Sequence, residues 1–315
     1  MGHLLAKIDS IVRISGGVLL NTPSVNSIED IKISSKNVKR GDLFIDVENS
    51  NEDIETAVIN GAYAIITATI PKIIDEEIAW ISVNDLEKSL VKLARFYAVE
   101  KKFRFIPLLS IQYALAKSLH VEGRVKLLSN STSIALMQIL RSENKTLFFV
   151  VENSFIQNVD PTVKQLKEKI EPEQIFENGL FHSSFIYKDK FIKDIRLSSF
   201  FVPYLCSLIE CLDNLKIKYK IDNFNNFEHF YPQFITSKFE KSDFGSTRKV
   251  IIFENDFELY TKELNYIYKR IDNKLVATNI EEIKNIDFRY ALINTQRVNF
   301  DEFFKKREVV QMEFF

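Results

Sequence analysis

The sequence predicts an α/β protein built on mainly parallel sheets, and three stretches carry that expectation. Residues 33–69 read ISSKNVKRGDLFIDVENSNEDIETAVINGAYAIITAT, a strand, a helix and a second strand in close succession. Two strands of one sheet joined through a helix run parallel by a right-handed crossover. Residues 79–83 (AWISV) followed by the helical pattern of 86–99 repeat the strand-then-helix order. The last third repeats it again, with the apolar run 250–253, a helical pattern over 259–271 and the run 290–293.

Taken in order, Leu4, Leu5, Ile8, Ile11 and Val12 recur at helical spacing, Gly16 and Gly17 stop that helix, and 18–20 is a short strand. In the 33–69 unit, Gly41 suits the turn before the strand 43–47. Asn51 or Asp53 is placed to cap the helix that runs to Asn60, Gly61 sits at its end, and 63–67 is a buried strand. Asn84 or Asp85 is placed to cap the helix 86–99, and Lys101-Lys102 marks a domain boundary. Beyond it come a strand at 103–108, a helix through His120, a helix ending at Arg141 and the buried strand 146–151, which runs into Glu152. Residues 158–173 read as an amphipathic helix, and Asn178-Gly179 as a hairpin turn between 175–176 and 181–187. Residues 198–215 form an apolar helix with Pro203 in its first turn, and 275–277 and 290–293 are strands of a small terminal sheet.

Composition bounds the function. The 315 residues are 46% hydrophobic, enough for two or three domains with ample core. A net charge of −1 gives no long-range attraction to nucleic acid or to an anionic membrane. Cys206 and Cys211 sit in an apolar helical pattern and read as core thiols, and the four histidines are too scattered for a metal site. No signal segment opens the chain and no apolar run is long enough to span a membrane, so the expected location is cytoplasmic. Glycine is scarce: 8 in 315 residues, roughly a third of the ~7% average. Phosphate-cradling loops need glycine for close backbone approach, and neither G-x-G-x-x-G nor G-x-x-x-x-G-K-[ST] occurs.

The 33–69 stretch resembles the substrate domain of the Mur ligases, especially the MurE and MurF types. Ser34-Ser35-Lys36, Val38, Gly41-Asp42-Leu43-Phe44-Ile45, Ala57, Gly61-Ala62 and Ala64-Ile65-Ile66 stand where that family carries its strand, turn and helix pattern. Lys36 replaces the usual arginine, and the loop between Val47 and Ala57 is short. The pattern Val83-Asn84-Asp85, then Leu90 to Ala94, is similar too. Beyond residue 94 the resemblance rests on element order.

The resemblance implies three small α/β domains with a reduced centre. These are a substrate domain over 1–101, a shortened former ATP-binding domain over 102–224 and a Rossmann-like domain over 225–315. It implies Ser34, Ser35 and Lys36 as the residues that meet a uridine diphosphate, and Glu152 as the metal ligand at a strand end. It also implies that catalysis is lost. The family makes an acyl phosphate from ATP, and phosphoryl transfer rests on phosphate positioning and metal charge. Here 103–110 (FRFIPLLS) stands where the phosphate loop belongs. The expectation is an inactive Mur ligase-like protein with no cofactor, which binds a UDP-MurNAc-peptide or a cell-wall enzyme. Two alternatives stay open. One is an active ligase using ATP and magnesium through Glu152, Ser110 and some of Lys117, Lys126 or Arg124. The other is a pure interaction scaffold working through its aromatic tail, 300–315.

Overall fold

The computed structural model describes residues 6–151, 154–222, 224–225, 227–271, 275–277, 279 and 282–296. It divides into two compact units, residues 1–109 with 123–165, and residues 110–122 with 166–315.

In the first unit a five-stranded sheet runs in the order Val18–Leu19, Ala79–Ser82, Ala64–Thr67, Leu43–Ile45, Ile31–Lys32. Only the first pair is antiparallel. Alternation along each strand sorts side chains to two faces. Phe44, Ile65 and Trp80 pack with Ile54 and Ala57 of the helix Asn51–Ile59. Leu43, Ile45, Ala64, Ile66, Ala79 and Ile81 face the other way, onto a core shared with the helices Ile8–Ser15 and Leu86–Glu100. That core continues to Phe105, Phe148 and Val150 of a parallel three-stranded sheet ordered Val125–Leu127, Leu147–Val151, Arg104–Leu108.

Gly16 (φ 72°) ends the first helix in the left-handed conformation, as the double glycine predicts. That helix begins only at Ile8, because Ala6–Lys7 pairs as a strand with Ser27–Ile28; Leu4 and Leu5 lie outside the described residues. Gly61 has φ 95°, and a Cβ there would stand 3.0 Å from the Arg40 Cα. Asp85, one of the two expected caps, accepts from the Lys88 amide at 3.0 Å. The cap of Asn51–Ile59 is neither Asn51 nor Asp53 but Ser50, whose hydroxyl accepts from the Asp53 amide at 3.2 Å. The predicted helix over 158–173 is also corrected. A short helix, Ser154–Val159, stops before Asp160-Pro161, since proline disfavours the helical conformation in the residue ahead of it.

In the second unit a five-stranded sheet is ordered Lys241–Ser242, Tyr231–Ile235, Lys249–Glu254, Tyr290–Asn294, Leu275–Ala277. Its last three strands are parallel and its first three antiparallel. The antiparallel strands Gln174–Asn178, His182–Tyr187 and Lys190–Ile195 form a meander that includes the expected Asn178-Gly179 turn. The apolar helix is Val202–Asn214. It buries both free cysteines, and burial pushes the Cys206 thiol up to about 12.

Residues 110–122 belong to this unit. Gln112 of the helix Ser110–Ser118 donates to the carbonyl of Lys167 (2.7 Å) and to Ser207 Oγ (3.2 Å). Strand Leu119–Val121 pairs antiparallel with Tyr219–Ile221.

Candidate functional site

Parallel strands put the loops that follow them on one edge of the sheet, and in open α/β sheets ligands bind at that carboxyl edge. In the first unit the edge is made of Ser34-Ser35-Lys36 after Ile31–Lys32, Asp46 after Leu43–Ile45, and Thr67 and Thr69 at the end of Ala64–Thr67. The three predicted residues differ in their surroundings. Ser35 opens a 3-10 turn, Ser35–Asn37, and is buried; its hydroxyl donates to the Asp53 carboxylate and its carbonyl accepts from Asn60 Nδ2 at 3.0 Å. Ser34 and Lys36 flank it and are exposed. Among the described residues Lys36 makes no ion pair.

Behind this turn lies a group not singled out from the sequence. Asp46 is fully buried; it accepts from the Ser50 amide at 3.0 Å through one oxygen and from Thr67 Oγ1 at 3.0 Å through the other. Thr67 in turn meets Thr69 Oγ1 at 2.9 Å. One carboxylate thus ties the carboxyl ends of two neighbouring strands to the start of the helix Asn51–Ile59. Its only signal in the sequence is an acid inside the apolar run LFIDV. The helix N-terminus favours an anion through its free amides, but Glu52 and Asp53 in its first turn oppose one.

Glu152 lies outside the described residues. The three basic residues of the ligase alternative have partners of their own. Lys117 pairs with Glu228 at 2.8 Å, Arg124 with Glu143 at 3.0 Å, and Lys126 donates to Ser142 Oγ at 3.0 Å. Ser110 is exposed at the first position of its helix. The strand Arg104–Leu108 connects to that helix through the single residue Leu109. Among the described residues no group of three His, Cys, Asp or Glu is arranged to hold a metal, and no helix is long and apolar enough to cross a membrane.

Three solved structures share this architecture. A MurF ligase from Thermotoga maritima in complex with ADP superposes with a TM-score of 0.53 at 14% identity, over 79% of this chain and 76% of that one. MurF from Acinetobacter baumannii gives 0.54 at 12% identity, over 89% and 80%. The UDP-N-acetylmuramoylalanyl-D-glutamyl-2,6-diaminopimelate–D-alanyl-D-alanyl ligase from Acinetobacter baumannii gives 0.51 at 12%, over 88% and 80%. The fold is Mur ligase-like. Identities this low carry the fold and nothing finer. No protein-family model matches the chain, and no curated protein matches it in sequence.

Proposed function

We propose that this protein is a Mur ligase-like protein that no longer forms peptide bonds and that retains a site for a UDP-MurNAc-peptide at the Ser34–Lys36 turn. The observation that carries the loss of catalysis is the one-residue connection at Leu109. A loop that wraps phosphates needs several residues, with glycines where the backbone approaches the oxygens. The chain has no glycine between Gly61 and Gly123. These residues do not fit the phosphates of ATP, and we derive no step through it. In this reading the substrate, former nucleotide and terminal domains keep the boundaries 1–101, 102–224 and 225–315. The five-stranded sheets, over 18–82 and 231–294, fall wholly within the first and last of these, and the two compact units divide the middle one between them.

At the retained site Ser34 and Lys36 make the contacts and Ser35 positions them. Lys36 offers a point charge to a phosphate and lacks the bidentate fork of an arginine. The test is calorimetric titration with magnesium-ATP and, separately, with UDP-MurNAc-tripeptide. The expected result is no heat from ATP and saturable heat from the muropeptide, abolished in Lys36→Ala. Saturable heat from ATP overturns the inactive reading, and silence from the muropeptide overturns the retained site.

A further inference from the structure

The second unit contains a small cavity, lined mostly by apolar side chains, that the Ser34–Lys36 site does not involve. Its volume is about 30 Å³, and its lining includes Arg196, Ser198, Asn225 and His229 among phenylalanine rings. A void of this kind needs only ~10–15 Å³ to hold a water, so this one admits a small polar group and not a ring.

His229 is the built part of the wall. It is 7% exposed, and its Nδ1 lies 3.0 and 3.2 Å from the two oxygens of Glu254. Glu254 is fully buried and also accepts from the amides of Asp256 (2.9 Å) and Phe230 (3.2 Å). Held by amides as an acceptor, it requires Nδ1 to be the donor. That leaves Nε2 as the imidazole nitrogen available to an occupant, and among the described residues Nε2 has no hydrogen-bond partner. Phe227 closes on the ring edge to face at 5.6 Å and itself meets Phe201 at 4.9 Å, so the imidazole has little freedom to turn.

Arg196 is the charged side chain among the described lining residues. Arg196 donates to Asn225 Oδ1 at 3.2 Å and stacks over Phe244 at 3.6 Å, and no carboxylate is among the described lining residues. A guest that meets the guanidinium of Arg196 and the amide nitrogen of Asn225 is an electron-rich oxygen group.

We propose that the cavity formed by Arg196, Asn225, Ser198 and His229 is a binding site for a small oxyanion, a carboxylate or phosphate group carried on a larger ligand. Arg196 meets it with a guanidinium edge. His229 faces it through Nε2, while its Nδ1 stays on Glu254 on the far side. Glu254 is a positioning residue: it sets the tautomer and orientation of the ring.

The test is NMR of the full chain labelled in its four histidine rings, titrated with sodium acetate and, separately, with sodium phosphate, against sodium chloride at matched ionic strength. The expected result is a saturable shift of the His229 ring signals, identified by their absence in His229→Gln, while His3 and His120 stay still. An acetate response identifies a carboxylate guest, and a phosphate response a phosphoryl guest. Arg196→Gln should weaken the response tenfold or more and leave the unliganded His229 signals in place. No saturable shift with either anion overturns the site, and that outcome needs no variant. A shift reproduced by chloride, or one of undiminished affinity in Arg196→Gln, overturns it as well.

Discussion

Glu263 has no exposed surface, and neither of its carboxyl oxygens has a hydrogen-bond partner among the described residues. Burial first, and the nearby charge of Glu254 second, push its pKa well above the ordinary carboxyl range. The folded state therefore holds a proton that the unfolded state releases near pH 4.5, and stability falls as pH rises above that value until the folded pKa is reached. Glu263→Gln keeps the shape of the neutral acid and removes the titration. Its melting temperature should match the parent at pH 4.5 and exceed it increasingly as pH rises from there toward the folded pKa; parallel profiles would refute the assignment. Ser35 is a different case, a buried hydroxyl whose acceptor, Asp53, would be left without it. Ser35→Ala should cost about 1–3 kcal/mol in urea unfolding, against less than about 0.5 kcal/mol for Ser34→Ala and Lys36→Ala, whose side chains are exposed.

At the scale of elements, the sequence was legible wherever local chemistry decides. The short apolar runs LFI, AIIT and AWIS placed three neighbouring strands, and Gly16 and Gly61 marked ends that need positive φ. Gly61→Ala should cost more than about 1 kcal/mol, because both the conformation and the Arg40 backbone oppose a side chain. Removing the Asp85 cap by alanine should cost about 1 kcal/mol, read as a lower denaturation midpoint with an unchanged slope. Legibility failed where a distant partner decides. Asp53 looked like a helix cap, but its side chain serves Ser35, eighteen residues earlier. The amphipathic pattern over 158–173 did not weigh Pro161 heavily enough. His229 and Glu254 meet because strand Tyr231–Ile235 pairs antiparallel with Lys249–Glu254, bringing residues 25 apart in sequence to hydrogen-bond distance. No local motif announces such a pair.

At the scale of the whole molecule, the chain crosses between its units more than once. A fragment of residues 1–165 contains every segment of the first unit, whereas a fragment of 166–315 lacks residues 110–122 of the second. The first fragment should melt cooperatively by circular dichroism. The second should not, because Tyr219–Ile221 loses its strand partner and Val202–Asn214 loses the helix packed on it. Adding a peptide of residues 110–122 should restore part of the transition.

The same excursion sets a schedule during synthesis. His120 pairs with Lys220, which leaves the ribosome 100 residues later. At about 5–20 residues per second that is a wait of roughly 5–20 s. Throughout it, Ile111, Ala114 and Leu115, buried in the finished protein, have no helix to cover them. The first unit completes itself at residue 165 around this waiting segment, so the nascent chain presents an apolar helix from the middle of an otherwise finished domain. That is the moment at which a holdase would find it.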